Sequence, residues 1–504
     1  MPGLFPHRCP VATVGWPVKK GLPFEIKAVQ HQRMKSFVAF LFFTVQVAFA
    51  VSNSQALESS VTAPAARVPK NINMSQQRGN EAETSVAVSH TNPRLITTVS
   101  NVESNALFHS WSTNGGKTWQ HDMIADGDSL GFACCDAQLA SDDFGNIFLA
   151  YLTSNIAVKV AISTDGGAPF SPLPFLSLPN AVPTVPYRSL AAAGRSVGGD
   201  QPSIACGSGS VWLSWTGSNG TVQASGAAVT GLGQVGVFSS AQGVAGANRA
   251  GDYGDTAVGP DGQVFIVYQN PTGGEGPATI YGALDADGLG PQSFGAGQVL
   301  ATTNVGGFDY IPAQSGRSID AEAGLAWDRT GGVHNGRLYF VYVSEEPQES
   351  NDTNINVSYS DDNGATWSTP KRINDDVGTS SQFNPKIAID GSSGKVAVAW
   401  YDTRNDKGDH GFGDTNGVPN DDTMIYSSVS SDGGNTFSAN QRLSAGTSND
   451  DAAASGVDYG DYSGFAFYRG RLYFSAADNS NSTGDNPDGT LSHFDLYVAP
   501  LGVR

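Results

Sequence analysis

Cysteine and charge are what this chain has least of. Four cysteines occur in 504 residues, and only Cys134, Cys135 and Cys206 lie beyond residue 50. Three thiols cannot build a disulfide framework, which excludes the small secreted scaffolds that depend on one. Cys134 and Cys135 are adjacent. Ordinary thiols packed in a sheet are the first reading, and a strained vicinal disulfide is the second. Charged residues make up 15% of the chain, and acids outnumber bases 47 to 28, for a net charge of −19. That balance argues against nucleic acid and anionic membranes as partners, and solubility alone accounts for it. Long apolar runs are also missing. The run from Phe37 to Phe43 is too short to span a bilayer, so no membrane insertion is expected. With Met34, Lys35 and the small-x-small site Ala48-Phe49-Ala50, it reads as a signal peptide over 34–50. Residues 1–33 then form an upstream segment outside the fold, and the protein is expected to be secreted, extracellular or periplasmic, and a monomer. Zinc spacings, phosphate loops and nucleophile elbows do not occur.

What the chain has in abundance is glycine, 61 residues, and a repeated turn. The copies are Ser112-Thr113-Asn114-Gly115-Gly116-Lys117-Thr118-Trp119, Ser163-Thr164-Asp165-Gly166-Gly167-Ala168-Pro169-Phe170, Ser360-Asp361-Asp362-Asn363-Gly364-Ala365-Thr366-Trp367 and Ser430-Ser431-Asp432-Gly433-Gly434-Asn435-Thr436-Phe437. The pattern is Ser-x-Asp-x-Gly-x-x-aromatic. Its chemistry suits a tight hairpin: the Asp or Asn caps backbone N–H groups, glycine accepts positive φ, and the aromatic ring folds back onto the sheet. The motif resembles the Asp-box, or BNR repeat, of the sialidase-like β-propellers. The resemblance implies a propeller whose turns lie on the face away from the site.

Between the turns a second pattern recurs. Leu95 to Val99, Ile147 to Tyr151, Val211 to Trp215, Val264 to Tyr268, Leu338 to Tyr342, Val396 to Trp400 and Leu472 to Ala476 alternate residue types and are rich in β-branched and aromatic side chains. They read as central strands of antiparallel sheets. From Leu95 to Leu472 the spacing averages about 63 residues, within reach of a four-stranded blade. A short strand rich in small residues precedes each copy, which suits the crowded axis. The expected fold is all-β: one propeller over 61–504 with seven four-stranded blades, six being the rival count. The last blade lacks the turn motif, so the segment around Val68 to Met74 is expected to supply its outer strand and close the ring.

In propellers the site lies at the axis where the innermost strands begin. Those entries are acidic here: Glu81, Glu83, Asp136, Asp200, Asp252, Asp255, Asp320, Glu322 and Asp461, with Gln201, Tyr253 and Tyr462. Such a ring suits a cation, a general acid/base pair or hydrogen bonds to sugar hydroxyls. Capping of backbone N–H groups between blades is the plainer reading. Arg195, Arg249 and Arg317 each precede an entry acid, and Arg404 ends a central strand. Guanidinium groups grip carboxylates by a two-pronged fork, and pairing of each arginine with its own aspartate is the alternative. The sialidase resemblance implies an arginine triad on the substrate carboxylate, here Arg195, Arg249 and Arg317. It also implies a tyrosine nucleophile (Tyr253 or Tyr462), a glutamate that activates it (Glu322, with Glu345 the alternative) and an aspartate acid/base (Asp255 or Asp320). Asp200, Asp252 and Asp461 would bind substrate. The chain departs from the family where a clear Arg-Ile-Pro motif is expected, since Ala66-Arg67-Val68-Pro69 is a poor match.

The late loops are rich in Asp, Asn and Gly. Asp402, Asp406, Asp409, Asp414, Asp421 and Asp422 lie in one loop and offer hard oxygen ligands that suit Ca²⁺, without EF-hand spacing, and Asp402, Asp406 and Asp409 are the expected ligands. No cofactor is required by this reading, and calcium is the one cation it allows. His410 and His493 in the same loops would be the bases of a polysaccharide lyase. Three functions follow: a glycosidase acting on a terminal or acidic sugar, a lyase on the same scaffold, or a propeller that binds a glycan, a polysaccharide or a protein without turnover.

Overall fold

The computed structural model describes residues 70–175, 199–217, 220–244, 252–271, 273–453 and 458–503. They form a seven-bladed β-propeller, seven antiparallel sheets with one 3-10 turn at Pro312–Gln314 and no α-helix among the described residues. The innermost strands are Ala82–Val88, Gly131–Ser141, Asp200–Gly207, Asp252–Val258, Gly324–Trp327, Gln382–Ile389 and Gly464–Tyr468. The second strands are Ile96–Asn101, Ile147–Thr153, Ser210–Thr216, Val264–Asn270, Leu338–Glu345, Val396–Asp402 and Arg471–Asp478. The rival count of six blades is set aside.

The second strands carry the core, because each blade is sandwiched between two others. Successive side chains of a strand point to opposite faces, and here both faces are buried. Phe265 and Val267 pack toward blade five, while Val264, Ile266 and Tyr268 pack toward blade three. Trp212, 1% exposed, faces blade four, and Val211, Leu213 and Trp215 face blade two. Each such ring or branched side chain contributes roughly 1.5–3 kcal/mol by leaving water.

Blade seven is completed by the other end of the chain. Ile72–Asn73 pairs antiparallel with Asp495–Gly502. Met74 N–H donates to Leu496 O at 2.7 Å, and the Asn73 amide donates to Asp495 Oδ2 at 2.5 Å. Cys134 and Cys135 are joined in a vicinal disulfide, so the thiol reading of that pair is corrected. Cys206 is a buried free thiol.

The four repeated turns link third and fourth strands at the end opposite the innermost-strand entries. In blade one, Ala82 at the entry lies level with Asn101 and Leu107, and Val88 with Ile96 and Ser112. In each turn the serine Oγ accepts the N–H of the second glycine position, at 2.8–3.1 Å. Asp362 and Asp432 each accept an N–H four residues on, from Thr366 and Thr436, both at 2.8 Å. The Thr436 hydroxyl first, and then the Thr436 N–H, hold the Asp432 carboxyl down at about 2. The turns also lock blades together. A Cβ on Gly364 would stand 2.3 Å from Phe265, on the second strand of the blade before.

Gly364 also has φ +87°, so Gly364→Ala combines a clash with backbone strain. It is expected to destabilise the fold by about 1–3 kcal/mol, read as a lowered urea midpoint.

Candidate functional site

The entries of the innermost strands are built alike. In five blades the ladder with the second strand is broken by a register shift: between Ala82 and Ser85, Cys135 and Gln138, Asp200 and Ser203, Asp252 and Asp255, and Phe383 and Lys386. A bulge leaves a residue unpaired and re-aims its side chain. The re-aimed residues hold left-handed backbone: Glu83 (φ +51°), Asp136 (+58°), Gln201 (+43°) and Asn384 (+48°), with Glu322 (+47°) just before the blade-five strand. Each such conformation costs on the order of 1–3 kcal/mol for a residue with a Cβ, and repeated strain of this kind points to function.

These side chains meet across blades. Arg317 grips Asp461 with both prongs, Nε to Oδ1 at 2.8 Å and Nη2 to Oδ2 at 2.7 Å. Its Nη2 also donates to Glu83 Oε1 at 2.9 Å. Gln201 donates its backbone N–H to Asp136 Oδ2 and its side-chain amide to Asp461 Oδ2, both at 3.0 Å. Asp320 Oδ1 accepts Glu322 N–H at 2.5 Å, and Glu322 Oε2 accepts Asn384 N–H. Glu322 Oε1 is buried and has no hydrogen-bond partner. Lys386 Nζ stands 5.7 Å over the Tyr462 ring. A hollow of about 50 Å³ opens among Gln201, Asp320, Glu322, Lys386, Asp461 and Tyr462.

Burial and mutual repulsion hold protons on this ring. Burial pushes Glu83 up to about 8 against the pull of Arg317, with Asp136 and Asp461 adding repulsion. Asp136 rises to about 7 by burial, then by Asp200 and Asp461. Asp320 and Glu322 are raised by burial first, then by Asp461 and Asp320 respectively, with Lys386 pulling both down. Burial, then Asp136, Glu83 and Asp461, raises the Tyr462 phenol.

The expected site residues fall out as follows. Glu322, Asp320, Asp461 and Tyr462 come together at the hollow. Arg195 and Arg249 lie outside the described residues, as do the side chains of Asp252 and Tyr253. Arg317 is paired with Asp461 and Glu83, 144 and 234 residues away, rather than with its own Asp320. Arg404 is used elsewhere: it binds Asp402 and Asp375 and lies over the Tyr426 ring at 4.3 Å. Asp255 reaches the hollow wall but pins three blades, accepting Ser203 Oγ at 2.7 Å and Leu325 N–H at 2.9 Å. Asp200 is half-buried and caps Gln201 N–H at 3.1 Å. The acids expected to hold calcium do not gather as a trio. Asp402 is taken by Arg404 and Trp400, and Asp409 caps Gly411. Asp406 instead meets Asp414 and Asp422, with carboxylate oxygens within 4.8 Å of one another. Those three are the residues there that could hold a cation.

Sequence reasoning missed Lys386 and Asn384. A signal was available: an alanine stands four residues after Glu83, Asp136, Gln201, Tyr253, Glu322, Asn384 and Tyr462 alike. That alignment picks one polar residue per blade.

Fold and mouth together define a seven-bladed propeller with a buried acidic ring at one end of its axis. No protein-family model and no curated protein matches the chain. Among solved structures it is similar to the BP39L lectin from Burkholderia pseudomallei, with TM-score 0.50 and 11% identity over 84% of this chain and 96% of that one. It is also similar to the α-L-arabinanase of Penicillium chrysogenum complexed with arabinobiose, TM-score 0.43, 10% identity, 87% and 99% covered. A third is the GH93 α-L-arabinofuranosidase of Fusarium graminearum, TM-score 0.42, 13% identity, 66% and 92% covered. At these identities the likeness is one of fold.

Carboxyls raised in the folded state bind protons that the unfolded chain releases. Stability therefore falls as pH rises from about 5, through about 7 for Asp136 and about 8 for Glu83. Urea midpoints measured from pH 5 to 8 are expected to decline, and Glu83→Gln is expected to flatten that decline.

Proposed function

We propose that the protein is a secreted carbohydrate-active propeller, a glycoside hydrolase of sialidase-like architecture working at the channel mouth. The observation that carries this reading is Glu322: strained, raised by burial, and with Oε1 buried and unpartnered at the wall of the hollow. A protonated carboxyl so placed is a general acid. Asp461, ion-paired to Arg317 in the same hollow, is the base. Glu322 gives its proton to the glycosidic oxygen as the C–O bond breaks. Asp461 takes a proton from the water that attacks the anomeric carbon, so the leaving sugar departs as an alcohol. Tyr462 keeps its proton, held by burial first and then by the nearby acids Asp136, Glu83 and Asp461, and serves as a hydrogen-bond donor rather than as a nucleophile.

The sugar is neutral rather than acidic in this reading. Arg317 has its fork filled by Asp461 and Glu83, and the ring of acids repels an anion. Phe132, at the start of the blade-two innermost strand, and Tyr310, on a loop (53 and 48% exposed), stand at the mouth end and offer faces for sugar rings. The lyase reading has less support, since neither His410 nor His493 lines the hollow. The Cys134–Cys135 disulfide supports the secreted reading. Calcium at Asp406, Asp414 and Asp422 would brace a loop beside the mouth, with no part in the chemistry.

A second reading, a glycan-binding propeller without turnover, is favoured by the small volume of the hollow. About 50 Å³ holds water, whereas enclosing ligand sites run to roughly 300–1,000 Å³. The test is incubation with neutral, uronic-acid and sialylated oligosaccharides, the products weighed by mass spectrometry. Neutral sugars are expected to yield products that have gained water. Glu322→Gln is expected to lower kcat by about 10²–10⁴-fold while glycan binding persists. Binding with no product from any sugar would leave the second reading standing.

A further inference from the structure

The far end of the ring carries a cavity of the opposite character. It has a volume of about 410 Å³ and lies between the outer turn of blade one and blade seven. Arg94, Lys117, Arg469 and Arg471 converge on it with Trp119 and Tyr468, and no acid lines it. This occurs in a chain where acids outnumber bases 47 to 28. None of the four cations ion-pairs with a carboxylate among the described residues, while Arg78, Arg317, Arg337, Arg372 and Arg404 all do.

The turn that forms its wall differs from its three relatives in ways that open and charge the cavity. Gly166 and Gly433 would meet side chains at 2.8 and 2.4 Å if they carried a Cβ, but the equivalent Gly115 would meet nothing within 4 Å. The turn position that is Asp165, Asp362 and Asp432 elsewhere is the neutral Asn114 here, and Asn114 lines the cavity. Trp367 donates its indole N–H to Gly364 O at 3.0 Å, whereas the equivalent Trp119 Nε1 is buried without a partner. The turn therefore stands off the neighbouring blade, drops its carboxylate, gains Lys117 and leaves a buried donor unmatched.

We propose that this cavity is a second ligand site, which binds an acidic saccharide unit through its carboxylate or sulfate group. Arginine forks take such groups pairwise, the ring face of Trp119 takes the sugar body, and the volume suits a mono- or disaccharide. The site is separate from the acidic mouth and does not depend on turnover there. It would anchor the protein on a charged glycan while neutral branches are presented to the other face.

The test is calorimetric titration of the purified protein with digalacturonate, a sulfated heparin disaccharide, neutral galactobiose and sodium sulfate. Either or both acidic disaccharides are expected to bind, more weakly as salt rises, and galactobiose is not. The double variant Arg94→Ala/Arg471→Ala alters two exposed side chains and is expected to weaken acidic-sugar binding at least tenfold. Trp119→Phe is expected to weaken it several-fold with the fold intact by near-ultraviolet circular dichroism. Glu322→Gln at the mouth is expected to leave it unchanged. Equal binding of galactobiose, no binding of either acidic disaccharide, undiminished binding in the double variant, or loss in Glu322→Gln would each overturn the proposal. Sulfate binding as tightly as the disaccharides would overturn the saccharide part of it.

Discussion

Everything in this molecule follows from the crowding of seven innermost strands around one axis. Room is short there, and in places even a methyl group is too much. A Cβ on Gly464 would stand 2.2 Å from Ser475 Oγ and 2.6 Å from the Ser85 Cα of the next blade. The alanine repeated along these strands answers the same constraint. Large side chains move outward to the second strands, where each blade offers both faces to its neighbours. The ring is held by packing between sheets, and the Ile72–Asn73 strand closes it where sequence neighbours run out.

Crowding also makes the site. With the strands pressed together, the entry bulges are places where a long polar side chain fits, and Glu83, Asp136, Gln201 and Asn384 occupy four of them, with Glu322 just before the blade-five strand. Glu83, Asp136, Asp320, Glu322 and Asp461 then share a poorly solvated space with Arg317 and Lys386 as counter-charges. Too many acids for the available cations means that some remain protonated near neutrality. A carboxyl raised by burial at Glu322 and an ion-paired Asp461 lining one hollow are the electrostatic result. At the other end of the ring the balance is reversed: Arg94, Lys117, Arg469 and Arg471 face a cavity with no acid in its wall.

The architecture was legible in the residues because it is periodic. Ile147 to Tyr151, Val264 to Tyr268 and their relatives read as strands, the four Ser-x-Asp turns punctuate them, and the count of seven follows from the spacing. The mouth was legible as a list of acids, and Glu322, Asp320, Asp461 and Tyr462 do share one hollow. Their partnerships were not. Arg317 lies three residues from Asp320 yet binds Asp461 and Glu83, since closure of the ring brings the first and last blades against it. Arg404 matched the pattern of a substrate clamp and is instead tied to Asp402 and Asp375.

The sequence by itself determined strand type, blade number and most of the polar residues at the axis, because those depend on local alternation and on turn chemistry repeated along the chain. The tertiary structure alone decided which acids keep their protons, which arginines are already occupied, and that one turn of four stands away from its neighbour to leave a basic cavity. Desolvation and ion pairing depend on distances between residues hundreds of positions apart, and only the closed ring sets those distances.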